Sequence, residues 1–162
     1  MSFELIPFAS GLIQKQAVHE VVKCNDYTER FGLVLTQVQA IELVETRSIS
    51  LQESGRIEFG SGVIEKIIKE FCDSPYIYMQ NYVHTLHELI EMFYYYKNET
   101  MDLIADDDLI KHMKSAFDGV CQGSLDLLSD RELNRLAKNL RFGLPVDYFD
   151  GKFVEDEESE DE

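Results

Sequence analysis

Two histidines and two glutamates crowd the stretch "HTLHELIE", at His84, His87, Glu88 and Glu91. Neutral imidazoles and carboxylates at one-turn spacing are the ligands that zinc, iron or manganese take. They are also the groups that pass protons in acid/base chemistry. A helix turns by about 100° per residue, so with His84 at zero Glu91 lies near −20°, Glu88 near +40° and His87 near −60°. All four share one arc of ~100°. The order "HTLHE" is not the HExxH of a zinc protease, and no duplicated Glu-x-x-His pair supplies the second half of a di-iron bundle. Asp108 and His112 form the only other carboxylate/histidine pair one turn apart. The opposite side of the same helix carries Met79, Tyr82, Leu86, Leu89, Ile90 and Phe93, which must face a core. The arc then points outward, whereas bundle metal sites point inward. The favoured reading is a solvated polar face. The alternative is a site for a divalent transition metal on His84, His87, Glu88 and Glu91, with His112 as a further donor.

Other chemistry is thinner. Cys24, Cys72 and Cys121 are odd in number and lack CxxC spacing, so they read as reduced, mostly buried thiols. "FGSGVIEK" resembles a glycine turn into a helix N-terminus that could cradle phosphate. It lacks the third glycine of a dinucleotide fingerprint and the lysine and hydroxyl of a Walker loop, so a tight turn is expected. "YIYMQNY" and "FYYY" place more tyrosines on one segment than a single helical face can hold. Tyr76, Tyr78, Tyr94 and Tyr95 are therefore candidates for a partner-binding surface. A second candidate is the basic stripe Arg131, Arg135, Lys138 and Arg141, opposite Leu133, Leu136, Ala137 and Leu140.

The elements that must position these groups are helices. The 162 residues are 44% hydrophobic and suffice for one domain with a real core. Apolar residues at helical spacing mark residues 12–24, then a helix opened by the Thr36/Gln39 capping box and running to about Ser54. "SGRIEFGSG" is a glycine-punctuated turn with room for a small strand at Arg56–Phe59, and "FGLVL" is a connector or short strand. Val63, Ile64, Ile67, Ile68 and Phe71 make one face of a clean amphipathic helix, with a Glu65–Lys69 pair opposite. Ser74 and Pro75 are expected to open the next helix, from Pro75 to about Lys97. "ADDDLIKHMKSAFDG" gives another, with three acids at its positive end. Ser129 and Glu132 form a second capping-box pattern ahead of a last helix, which Gly143 and Pro145 end. The expected fold is an all-α bundle of five to six helices with at most one short hairpin, spanning residues 1–146. An acidic, disordered tail follows over 147–162.

The net charge is −16, from 31 acids and 15 bases. It repels phosphate backbones and anionic membranes, so neither nucleic acid nor membrane is an expected partner. The first residues have no positive n-region and Pro7 breaks their apolar run, so no signal peptide is expected and a cytoplasmic location is.

"GRIEFGSG", "FCDSPYI" and "FYYYKNET", in that order, resemble a small family of uncharacterised bacterial proteins found mainly in clostridia and their relatives. The resemblance covers most of the chain except the tail. It implies a bacterial cytosolic protein and supplies no activity, ligand or catalytic residue. The sequence thus points to a helical, non-enzymatic module that binds another protein or a copy of itself, with no cofactor expected.

Overall fold

The computed structural model describes residues 5–144, with side chains from Gln14 onward. Among them every regular element is helical and there is no strand. In chain order these are α1 (Leu5–Lys23), α2 (Asn25–Thr28), α3 (Gln37–Ser54), α4 (Gly62–Phe71), α5 (Tyr82–Glu99), α6 (Asp106–Asp118), α7 (Leu125–Leu127) and α8 (Asn134–Arg141). Short 3-10 turns follow α2 at Glu29–Phe31 and precede α5 at Met79–Asn81, and a π-helical turn, Leu128–Leu133, joins α7 to α8. The all-α expectation holds, and neither "FGLVL" nor Arg56–Phe59 forms a strand. Pro145 and the acidic tail lie outside the described residues, as do the side chains before Gln14.

The chain divides into two units. One holds the chain up to Asp73 together with Ile77–Glu91; the other holds Ser74–Tyr76 and the chain from Met92 onward.

In the first unit α3 starts where the capping box predicted. The Thr36 hydroxyl accepts the Gln39 N–H at 3.0 Å, and the Gln39 side chain accepts the Thr36 N–H at 2.9 Å. Gly55 closes α3 in the left-handed conformation, with the Arg56 N–H reaching back to the Leu51 carbonyl. Ala40, Leu43, Val44 and Leu51 turn inward, as do Val63, Ile64, Ile67, Ile68 and Phe71 of α4. Burying five such side chains on one ten-residue helix stabilises it by about 1.5–3 kcal/mol each, an upper estimate before conformational entropy is charged against it. Asn25 stitches the connector by taking the Leu35 N–H and donating to its carbonyl.

α5 opens at Tyr82, later than Ser74–Pro75 predicted. Ser74 does not cap a helix: its hydroxyl donates to Asp118 at 2.6 Å and accepts the Tyr76 N–H, which folds residues 74–76 into a turn. The Asn81 side chain then takes the Tyr78 N–H and starts the 3-10 turn.

In the second unit the core is built from Phe93, Tyr94, Tyr96, Ile104, Leu109, Ile110, Met113, Phe117, Leu128, Leu133 and Leu136. The turn between α5 and α6 winds around a buried ammonium. Lys97 donates to the Ile104 carbonyl at 2.6 Å and pairs with Asp106 at 2.9 Å and Asp102 at 3.6 Å. These contacts hold Met101 and Asp102 in left-handed backbone, a conformation that costs non-glycine residues of order 1 kcal/mol or more each. The Ser129/Glu132 capping box does not form. Ser124 caps the last helical run by accepting the Leu127 N–H, so residue 132 falls inside that run and is buried.

Candidate functional site

α5 places the four predicted ligands on its outer arc. His84 and Glu91 are exposed, and His87 and Glu88 are half-buried. The Nδ1 of His87 is 2.7 Å from the Thr46 hydroxyl on α3, so that ring nitrogen is engaged within the unit. His112 is half-buried on α6. Among the described residues no three His, Cys, Asp or Glu side chains converge as a metal-holding group.

The glycine turn before α4 resolves differently from a phosphate cradle. The Glu20 carboxylate accepts the Ser61 N–H at 2.6 Å, and Glu58 accepts the Val63 N–H at 3.3 Å. The chain's own carboxylates thus sit at the positive end of α4, where an anion would bind. That N–H holds the Glu20 carboxyl below its ordinary range, against the opposing effect of burial. Glu58 also meets Arg47 at 3.4 Å. Arg47 is 2% exposed, and its Nε has no hydrogen-bond partner. A buried guanidinium left partly unsatisfied is costly, so the loop it anchors is held at some expense of stability.

The tyrosines divide. Tyr78 and Tyr95 present their rings to solvent and Tyr76 is half-buried, its ring edge-on to Phe117. Tyr94 is closed into the core beside Phe93, and Tyr82 and Tyr96 are buried as well. Burial pushes the Tyr82 phenol far above its ordinary range, with the Thr28 hydroxyl a smaller opposing influence. Tyr96 donates to the Ser129 carbonyl at 2.7 Å, at the π-helical turn.

The basic stripe is largely occupied. Arg131 and Arg135 close on the two oxygens of Glu132 at 2.8 and 2.5 Å. Arg141 donates to the carbonyl and carboxylate oxygens of Glu99. Lys138 remains exposed. A stripe that reads as a free cationic face is therefore mostly a set of internal clamps.

Two concavities lie in the first unit. One, of about 340 Å³, is lined by Glu20, Lys23, Cys24, Asp26, Tyr27, Glu65 and Lys69. Burial pushes its thiol, Cys24, up to about 11, so it is protonated at neutral pH. Burial raises Cys121 too, and all three cysteines are buried free thiols. The second, of about 370 Å³, lies between α1 and α3 and is lined by Val18, Val22, Ile41, Gln14, Lys15, His19 and Gln37. Val38, one turn before Ile41, is exposed, as is Ile49 farther along α3.

Val38, Ile41 and Ile49 are exposed on α3, off the face of Ala40, Leu43 and Val44 that is buried. In sequence, Ile41 off the buried face of α3 was the signal for the groove. The buried Arg47, Lys97 and Glu132 also had one, since each falls four residues from an apolar core position, at Leu43, Phe93 and Leu128.

No helix among the described residues is long and apolar enough to cross a membrane. No curated protein and no solved structure matches the chain. A family model does, over residues 20–146, which include both the glycine loop and the tyrosine-rich helix. The chain therefore belongs to the family of unknown function DUF6323.

Proposed function

We propose that this protein acts by binding another protein, and that the groove between α1 and α3 is the surface that does so. The observation that carries the reading is the groove itself: Val18, Val22 and Ile41 floor a concavity of about 370 Å³, and Val38 is exposed one turn before Ile41 on α3. An apolar floor with a polar rim of Gln14, Lys15, Gln37 and His19 is the arrangement that receives the apolar face of a helix. Beside it, Glu42 and Glu45 are exposed on α3, and the chain as a whole carries −16. Such a field draws cationic partners and speeds their docking. The partner segment that fits is an amphipathic helix, apolar on one face and basic along its edges.

Val38→Asp/Ile41→Asp, at two exposed positions, tests this by quantitative affinity capture against wild type. Val120→Asp, at an exposed site in the other unit, is the control. Proteins held by wild type and by the control but lost from the double variant support the groove. Identical profiles for all three chains would remove it as the binding surface.

A further inference from the structure

The loop between α3 and α4 carries a feature that the groove does not use. Ile57 is 81% exposed and Phe59 is 72% exposed, more than any other large apolar side chain in the described residues. Between them Glu58 turns inward to the buried Arg47, so burial alternates along Arg56–Gly60. The same Glu58 oxygen takes the Val63 N–H, and Glu20 takes the Ser61 N–H. Gly60 and Gly62 both have positive φ, and a Cβ at either would strike one of those carboxylates, 2.9 Å from Glu20 Oε1 or 2.3 Å from Glu58 Oε1. The loop is thus fastened at its α3 end by the Arg56 N–H on the Leu51 carbonyl, at its α4 end by these two carboxylates, and in its middle by an ion pair whose buried guanidinium keeps an unpartnered Nε. Replacing such a pair with apolar residues often stabilises a protein, and a fixed conformation is one use for which such pairs are kept. Here the conformation fixed is one that holds two apolar side chains out in water.

We propose that Ile57 and Phe59 are a preorganised pair of anchors for a second protein, and that Arg47 is the positioning residue that sets them. Their partner is an apolar cleft rimmed by cationic side chains on a different protein. A second copy of this chain is disfavoured as the occupant because each copy carries −16. Rigid presentation lowers the ordering cost of binding, which is what a two-residue anchor requires. None of the residues lining the α1–α3 groove belongs to this loop, so the proposal stands or falls separately from that surface.

The test is photocrosslinking of the full-length chain in its native cells. Benzoylphenylalanine is placed at position 59 and, as a control, at position 142, an exposed phenylalanine outside this unit. The expected result is a discrete heteromeric adduct from position 59 only. Its yield should fall about ten-fold or more with Ile57→Ser, the loss expected of a central anchor. Arg47→Met should cut the yield similarly while melting no lower than wild type, with faster amide exchange confined to residues 57–63. Should Arg47→Met fail to fold, Glu58→Gln serves the same purpose. No adduct at 59, the same adducts from 59 and 142, or an adduct of twice the chain mass would each overturn the proposal. Unchanged loop exchange in the folded Arg47 or Glu58 variant would overturn the positioning role.

Discussion

The clamp on Glu132 sets up a prediction in which deleting a group and deleting its partners have opposite consequences. The Glu132 side chain is 7% exposed, while those of Arg131 and Arg135 are 50% and 63% exposed. Desolvation therefore falls on the carboxylate, and the guanidiniums remain partly hydrated. Arg131→Met/Arg135→Met leaves a buried carboxylate without counter-charge. That should cost about 3 kcal/mol, the low end of the range for a broken buried pair, because water can enter where half-exposed arginines leave. Glu132→Met instead removes the desolvated charge and releases two arginines to solvent. Its cost should stay within about 1 kcal/mol of zero. Combining all three substitutions should restore most of what the double variant lost. Urea unfolding followed by circular dichroism measures each value. A triple variant no more stable than the double would refute the reasoning, because the buried carboxylate would then not be the source of the loss. So would a Glu132→Met variant as unstable as the arginine double.

Thr36→Ala should cost about 1 kcal/mol by the same urea measurement, since it removes the hydroxyl half of the capping box on α3. Gly123→Ala should destabilise by more than about 1 kcal/mol and perturb the near-ultraviolet tyrosine signal: the residue has φ +83°, and an added Cβ would lie 2.6 Å from the Tyr76 side chain. Glu20→Gln tests the anion seat at α4 through pH. Because the folded-state value of Glu20 is depressed below the ordinary 4.5, its contribution is complete above that value and is lost as pH falls through the lowered one. The stability gap between wild type and Glu20→Gln should then be constant near neutrality and shrink on acidification below about 4.5, and a gap independent of pH would contradict the assignment. Elemental analysis of chelator-free protein is expected to find no stoichiometric zinc, iron or manganese; metal lost on His84→Ala and Glu88→Ala would return the α5 arc to the metal reading.

Much of the fold was legible in local sequence because its causes are local. The Thr36/Gln39 box, the apolar stripe of α4 and the end of α3 near Ser54 each depend on causes within a turn or two of their own residues, and each appears where the local sequence put it. The polar arc of α5 was legible for the same reason, since angular position on a helix follows from residue number alone. What failed were patterns whose residues had partners elsewhere in the chain. Ser74 and Pro75 look like a helix start, but Asp118 takes the hydroxyl. Ser129 and Glu132 look like a cap, yet two arginines and the core claim the glutamate. Arg131, Arg135 and Arg141 look like a free cationic face, and tertiary structure gives each a carboxylate.

The sequence by itself determined which stretches are helical and which of their faces are apolar, because propensity, capping and periodicity act over a few residues. Only the tertiary structure decided which charges are buried, which tyrosines are core and which apolar side chains stay in water. A charge is stable inside only where a counter-charge or carbonyl from a distant segment meets it, and whether an apolar residue is covered depends on what packs over it, which no local pattern encodes.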